Sequence, residues 1–349
     1  MEGLDKNKDI AIARLKTEEA SSTLQASKLA YLPSLSFSAD GNTSKLIDLD
    51  ADKTYSVGLL ASWEVDAFGK ATNTKRMYAE SYAAQVAYVQ AVQSSLVATI
   101  AENYYNILAL DAELEIYSET LESWAETVRV LEVLAKSGQA NELAVLQAKS
   151  NMLSVEQSVS QTHKEIAVCE NALSVLLGRV PGSIERSSIE SQQISTLETG
   201  LPISILRHRP DVKEAEHSLA SAFYATNVAR SQLYPTLSLS GTLGFTNSGG
   251  GVVLNPGKWL LNAAGNLLEP IFNNGQNMAN LNVAKVQQEK AKLLWQQTVL
   301  NAGREVNDAL ASYQAAFQNL TSANNQIELL KTATQKAEVL MKHSNSNDL

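Results

Sequence analysis

The chain has 349 residues, enough for two or three ordinary domains or for one elongated body with internal duplication. Its net charge of −9 argues against a nucleic-acid partner, because gripping phosphates requires a basic face. With 44% hydrophobic and 19% charged residues it is composed to fold, and a single cysteine, Cys169, excludes an internal disulfide framework and any multi-cysteine zinc site.

No run approaches the roughly 18 consecutive apolar residues of a membrane-spanning helix. The opening residues, Met1-Glu2-Gly3-Leu4-Asp5, carry no basic stretch followed by an apolar one. No signal peptide is therefore expected, and the chain reads as either cytoplasmic or a piece of a longer protein.

Glycine and proline divide the chain. A first helix is expected before Pro33. Beyond it, Ser34 to Ala39 alternates Leu35, Phe37 and Ala39 against Ser34, Ser36 and Ser38, the period of a strand. Tyr55 to Trp63 alternates in the same way. From Lys70 to Ser137 there is neither Gly nor Pro, and those sixty-eight positions would make a helix on the order of 100 Å long. Gln139 to Leu177 is again free of both, so a long helical hairpin is expected. A connector from Gly178 leads to a second helix near Pro210. The alternation then returns in Thr236 to Phe245 and, less cleanly, in Lys258 to Leu267, with Gly249-Gly250-Gly251 as a hairpin turn. A last long segment runs from Gln276 to the end, interrupted only by Gly303.

The long segments carry seams. Steps of four and three from Tyr82 reach Val86, Val89, Gln93, Leu96, Ile100, Asn103, Ile107 and onward to Ala135, with only Gln93 and Asn103 polar. The same steps from Trp295 reach Met341 with only Thr334 polar. A repeat of 3.5 residues predicts left-handed supercoiling. A further stripe, Ala84, Ala87, Ala91, Ser94, Ala98, Ala101, Tyr105, Leu108 and Ala112, lies on nearly the opposite flank, giving one helix two neighbours. That pattern fits a curved wall, and it also fits an ordinary bundle helix with a wide apolar face.

Strands of about ten residues suit an outer-membrane barrel, but four of them cannot close one. Free edges in lipid would cost tens of kcal/mol, so copies from other chains would have to complete the cylinder. A soluble pair of hairpins packed on helices is the alternative. The halves also correspond: Asp9-Ile10 precedes Pro33 by 24 residues, as Asp211-Val212 precedes Pro235. The expected organisation is a first repeat at 1–177, a connector at 178–209 and a second repeat at 210–349. The first copy continues past Leu143 into a returning helix and the second stops at Leu349, so both ends read as trimmed.

Catalytic patterns are missing. His163, His208, His217 and His343 show no i, i+4 pairing, no phosphate loop follows a glycine run, and no serine sits in a nucleophile elbow. No catalytic, metal or cofactor-binding residue is expected, and the chain is not read as an enzyme. His217 beside Glu216 is read as a solvated helical pair.

The segment Leu201-Pro202-Ile203-Ser204-Ile205-Leu206-Arg207-His208-Arg209-Pro210-Asp211-Val212, with Ala215-Glu216, Val228-Ala229-Arg230 and Tyr234-Pro235-Thr236-Leu237-Ser238-Leu239, resembles a family signature. So do Trp63 to Lys70 and Leu176-Leu177-Gly178. Together they resemble the TolC-type outer membrane efflux proteins, in particular the lipoprotein-like branch of tripartite drug or metal pumps. The resemblance implies a mainly α fold with a membrane β-barrel part. In a homotrimer, four strands per protomer would make a twelve-stranded barrel in outer membrane lipid, continued by an α-barrel across the periplasm. It implies a periplasmic membrane-fusion adaptor protein and an RND-type inner-membrane pump as partners, and no cofactor. The hairpin tips would form the gate and adaptor contact, here Lys136, Ser137, Gly138, Asn141, Glu142 and Leu143, with Lys342, Asn347, Asp348 and Leu349 at the equivalent second tip. Glu142 and Asp348 would then form a cation-favouring ring of carboxylates, or simply cap helices. That branch usually carries an N-terminal lipid-bearing cysteine, whereas Cys169 lies in the seam of the returning helix and is read as a packed thiol. The expected function is a passive exit duct. Type I protein secretion and a soluble coiled-coil scaffold are the alternatives.

Overall fold

The computed structural model describes residues 2–44, 52–188, 203–246 and 258–344. The Gly249-Gly250-Gly251 turn lies outside them. In chain order the elements are α1 (Glu2–Lys6), α2 (Lys8–Leu29), β1 (Ser34–Ser44), β2 (Asp52–Val65), α3 (Lys70–Lys136), α4 (Glu142–Leu176), a 3-10 turn (Ile203–His208), α5 (Pro210–Ser231), β3 (Thr236–Thr246), β4 (Lys258–Leu268) and α6 (Gln276–Ser344). The strands are longer than the alternation alone marks, because β1 and β2 stay paired out to Ser44 and Asp52, through Gly41, Asn42 and Thr43. None of the described helices is long and apolar enough to cross a membrane.

The helices form a single layer. α3 packs on α2 and on α5, and α5 packs on α6; among the described residues α2 and α6 do not pack on one another. Between α2 and α3, the Thr17 hydroxyl donates to the Gln85 carbonyl at 3.5 Å and the Lys16 ammonium stands over the Tyr88 ring. Between α3 and α5, the Ser221 hydroxyl donates to the Met77 carbonyl at 3.1 Å. Between α5 and α6, the Thr226 hydroxyl donates to the Ala284 carbonyl at 3.2 Å. A bundle would have brought the first and last of these helices together; this arrangement is a wall. α4 folds back along the lower part of α3 and ends beneath α2. There Asn7 accepts from the N–H groups of Asp9 and Ile10, capping α2, and donates to the Leu176 carbonyl at 3.0 Å.

The seams are occupied unevenly. Every seam position of α3 from Tyr82 to Ala135 is buried or half-buried, as is the α4 seam, Cys169 included. The second stripe of α3 is covered at Ala84, Ala87 and Ala91, exposed from Ser94 to Tyr105 and covered again at Leu108 and Ala112; the gap arises because α5 is 22 residues long and spans about 33 Å beside a helix three times its length. The α6 seam is likewise covered through Tyr313 except at Ala309, and exposed from Ala316 to Ala337.

The sheet is antiparallel in the order β1-β2-β3-β4. Its central pair joins the two halves of the chain, and within it Gly58 faces Gly244. The strands approach so closely there that a Cβ on Gly244 would lie 2.3 Å from the Val57 carbonyl oxygen, and one on Gly58 would lie 2.9 Å from that of Leu243.

Sheet and helices meet at a hydrogen-bonded junction. The Asp66 carboxylate accepts from the N–H of Ala71 (2.8 Å) and Thr72 (2.9 Å) and from the Thr72 hydroxyl (2.6 Å), satisfying the first turn of α3. The Tyr31 hydroxyl donates to Thr72 Oγ1, and Trp63 Nε1 donates to the Tyr31 carbonyl. Phe68 and Tyr234 stack with centroids 5.1 Å apart, tying the two halves at the same level. Desolvation pushes the Asp66 carboxyl up, but the hydrogen bonds from Thr72 and Ala71 outweigh it and hold it below its usual value.

Two measurements test this account. Gly244→Ala forces the central strands apart and is expected to destabilise the folded protein by about 1–3 kcal/mol in thermal or denaturant unfolding; an unchanged midpoint would contradict the close approach. Asp66 titrates lower folded than unfolded, so its contribution is complete above the ordinary aspartate range near pH 4 and is lost as pH falls through the lower folded value. Asp66→Asn is expected to cost about 1 kcal/mol at neutral pH and to flatten the loss of stability below about pH 4, read from melting curves across pH.

Candidate functional site

The register of the sheet gathers its side chains into two unlike faces. On one, Phe37 stands opposite Leu59, Val57 opposite Phe245, Trp63 opposite Leu239 and Leu243 opposite Leu261, an apolar surface running across all four strands. It is uncovered: Phe37 is 69% exposed and Leu261 80%. This rules out the soluble arrangement in which the hairpins bury that face on helices. The other face carries Ser34, Ser36, Ser38, Ser62, Ser238, Ser240, Thr242, Asn262 and Asn266, interrupted by Leu60 and Leu268. Several of its hydroxyls donate across to backbone carbonyls: Ser34 to Ser62 at 3.1 Å, Ser36 to Leu60 at 3.5 Å, Thr236 to Leu268 at 3.3 Å and Ser238 to Asn266 at 3.4 Å. β1 and β4 each pair on one side only, leaving two free edges among the described residues. Such a sheet separates an apolar medium from an aqueous one and is unfinished at both margins.

Below it, the helical wall is stitched by polar contacts between neighbours. His217 Nδ1 lies 2.7 Å from Glu80 Oε2, so its partner is on α3 and not the adjacent Glu216. Cys169 Sγ accepts from Asn106 Nδ2 at 3.3 Å within the α3–α4 seam. Lys149 pairs with Glu132 at 2.6 Å across the same hairpin, and that hydrogen bond holds the Glu132 carboxyl below its ordinary value. Lower on the wall, a groove lined by Glu113, Tyr117, Ser158, Gln161 and Glu165 follows the polar flank, and hydrogen bonding to Glu113 raises the Tyr117 phenol.

The hairpin ends in a compact tip. Lys136 is the last residue of α3, and the Ser137 hydroxyl donates back to the Leu134 carbonyl at 2.9 Å. Gly138 takes a left-handed φ of 75°, which lets the N–H groups of Gly138 and Gln139 close onto the Ala135 and Leu134 carbonyls. Asn141 caps α4, its side-chain oxygen accepting from the Leu143 N–H at 3.1 Å. Glu142 is therefore the first residue inside α4 and not its cap, while Leu143 is exposed. These six residues come together at one end of the hairpin. Lys342 lies on α6; Asn347, Asp348 and Leu349 lie outside the described residues, so a pairing of Asp348 with Glu142 is not placed.

The sequence reading overlooked the arginines at the waist. Arg186 forks onto Asp111 of α3 and reaches Glu170 of α4, and Arg209 joins Asp211 to Glu305 of α6. Arg209 was visible as part of the Arg-Pro-Asp element, but nothing local announces a partner 96 residues away. Asp66 could have been found as an acidic residue just ahead of a helix start. Among the described residues no cluster of three His, Cys, Asp or Glu side chains is arranged to hold a metal ion.

A sequence profile of the family described as outer membrane efflux protein matches residues 2–179 and 201–343. The chain is 30% identical over 346 residues to the cation efflux system protein CusC of Escherichia coli O6:H1, covering 98% of this chain and 75% of that one. It is 28% identical to the probable outer membrane lipoprotein SilC of Salmonella typhimurium, over 97% and 74% of the two. A crystal structure of CusC superimposes with a TM-score of 0.88, covering 98% of this chain and 81% of that one at 30% identity. The outer-membrane channel OprN superimposes at 0.89, over 97% and 78% at 27% identity. These likenesses displace the cytoplasmic and soluble-scaffold expectations. A sheet with one dry and one wet face, a single-layer helical wall and agreement along nearly the whole chain converge on one conclusion: the chain belongs to the outer membrane efflux protein family and is an outer membrane efflux channel.

Proposed function

We propose that three copies of the chain associate side by side, β1 of each pairing with β4 of the next, to close a twelve-stranded barrel whose apolar face meets outer membrane lipid and whose hydroxyl-rich face lines the bore. The observation that carries this reading is the uncovered two-faced sheet with its two free edges. The surface supports it as well. The chain exposes 24983 Å², whereas a compact monomer of 37.7 kDa exposes about 14,000 Å². The flanks of the wall are apolar where a neighbour would lie: Ile12 and Leu15 on α2, and Val283, Val286, Leu293 and Leu300 on α6, are all exposed.

On this reading the chain comprises two repeats, 1–177 and 210–349, around a connector at 178–209. It works as a passive duct: it holds no cofactor, catalyses nothing, and lets through solutes driven by an RND-type pump in the inner membrane. The tips, Lys136 to Leu143 and the region of Lys342 to Leu349, meet a periplasmic adaptor and form the narrow end. CusC is named for cation efflux, and another relative, SrpC of Pseudomonas putida, for solvent efflux. Small solutes, metal ions among them, are accordingly the proposed cargo, and a wall of serine, threonine and asparagine suits varied hydrated molecules.

Two experiments bear on this. Protein extracted from membranes with detergent is expected to run as a trimer unheated and as a monomer after boiling; a water-soluble monomer would overturn the assembly. If Glu142 and Asp348 form a carboxylate ring, the double variant Glu142→Gln, Asp348→Asn is expected to lower the cation preference of reconstituted channels several-fold. An unchanged reversal potential would leave these acids with a helix-terminus role alone.

A further inference from the structure

The two halves of the chain differ at the start of their short helices. Asn7 stands as far before Pro33 as Arg209 stands before Pro235, and each is the N-cap of its helix, at φ −64°, ψ 133° for Asn7 and φ −62°, ψ 135° for Arg209. Asp9 and Asp211 follow two places on. On the long helices, Thr99 lies as far beyond Gly69 as Glu305 lies beyond Gly275, the two glycines of left-handed φ, 73° and 77°, that precede α3 and α6. The cap backbone is thus alike in both halves, and the side chains are not.

In the second half a cation spans the step from short helix to long. Arg209 forks onto Asp211 at 2.8 and 3.1 Å and reaches Glu305 on α6 at 2.7 Å. One and two turns earlier on α6, Asn301 and Gln297 bond to one another at 3.2 Å. In the first half the places of Arg209, Glu305, Gln297 and Asn301 are taken by Asn7, Thr99, Ala91 and Ser95. Asn7 is too short to cross; it turns back to cap α2 and donates to the Leu176 carbonyl. Ala91 and Ser95 are small. Between these side chains lies a cavity of about 430 Å³, lined by Asp9 and Thr99 and by the apolar Ala91, Val92, Leu96 and Leu176. That volume suits a small molecule.

The polar groups of the cavity all call for positive charge. The Asp9 carboxylate has no hydrogen-bond or ion-pair partner among the described residues. The Thr99 hydroxyl gives its proton to the Ser95 carbonyl at 2.9 Å, which leaves oxygen lone pairs to accept from a ligand. Leu176 is the last residue of α4, so the negative end of that helix lies at the cavity as well. The positive end of α2 is met by the Asn7 cap and by Asp9 in its first turn.

We propose that this cavity is a binding site for a small organic cation with a guanidinium or ammonium head and a short apolar tail. The head pairs with Asp9 as Arg209 pairs with Asp211, and the tail lies against Val92, Leu96 and Leu176. The site stands on this geometry and not on the duct reading.

The test titrates benzylguanidinium into the detergent-extracted full chain by calorimetry, with guanidinium and benzyl alcohol as the head and the tail alone. Saturable binding of benzylguanidinium is expected, tighter than that of either fragment. Asp9→Asn is expected to weaken it roughly fivefold; both proteins sit in the same micelle, so the comparison removes uptake by detergent. Thr99→Glu supplies the second carboxylate of the other half and is expected to tighten binding several-fold. Asn7→Arg with Thr99→Glu rebuilds the bridge of the second half and is expected to abolish binding. No saturable heat in the parent, equal affinity in the parent and Asp9→Asn, or benzyl alcohol binding as tightly as benzylguanidinium would overturn the site. If Asp9→Asn fails to fold, the other two variants decide, and an unchanged affinity in both would equally overturn it. A protein that conducts but does not bind sinks the site and leaves the duct. One that binds but does not conduct sinks the duct and leaves the site.

Discussion

Everything in this chain answers to the backbone hydrogen bonds at the margins of its sheet. In water an unpaired edge is tolerable, since solvent takes up the free N–H and C=O groups. In hydrocarbon each one costs several kcal/mol. A four-stranded sheet with an apolar face cannot rest in lipid alone, and among the described residues it has no interior partner, because the helices run below it and leave its apolar face uncovered. Closure by identical copies removes both edges at once, as rotation of one head-to-tail contact does in any cyclic assembly.

The helical part inherits the same incompleteness. α2, α3, α5 and α6 lie in the lateral order in which β1 to β4 are paired, so the wall continues the sheet without crossing it. A one-layer arrangement buries flanks and leaves the two broad surfaces wet, which is why the seams are narrow and the charged residues so evenly spread. It also explains the junction at Tyr31, Asp66 and Thr72. Where a strand must become a helix at the rim of a thin wall, there is no core to hold the turn, and hydrogen bonds to the first helical N–H groups take that part.

Much of this was legible from the residues alone. The absence of Gly and Pro between Lys70 and Ser137 marked a helix that the structure ends at Lys136. The alternation around Leu35, Phe37, Leu237 and Leu239 marked the strands, because a period of two survives any packing partner. What stayed hidden was long-range. The pairing of His217 with Glu80 spans 137 residues, and that of Arg186 with Asp111 spans 75; charge on a helix face says nothing about which distant helix will lie beside it. The second stripe of α3 misled in another way: small residues at Ser94, Ala98 and Ala101 look like a buried flank, yet their neighbour is too short to reach them. At the tip, Glu142 lies in the first turn of α4, where an acid favours the helix N-terminus, and the N-cap before it is Asn141, whose side chain accepts from the Leu143 N–H.

The hydroxyls on the wet face of the sheet have a quieter consequence. Ser34, Ser36, Thr236, Ser238 and Ser240 each direct their proton into a neighbouring carbonyl. At these five positions the fluid alongside meets oxygen lone pairs, so water there turns its hydrogens toward the protein. A passing ammonium group or aquo-cation can take the place of such a water without reversing its neighbours, whereas a halide must turn to the amides of Asn262 and Asn266 on the same face for a donor.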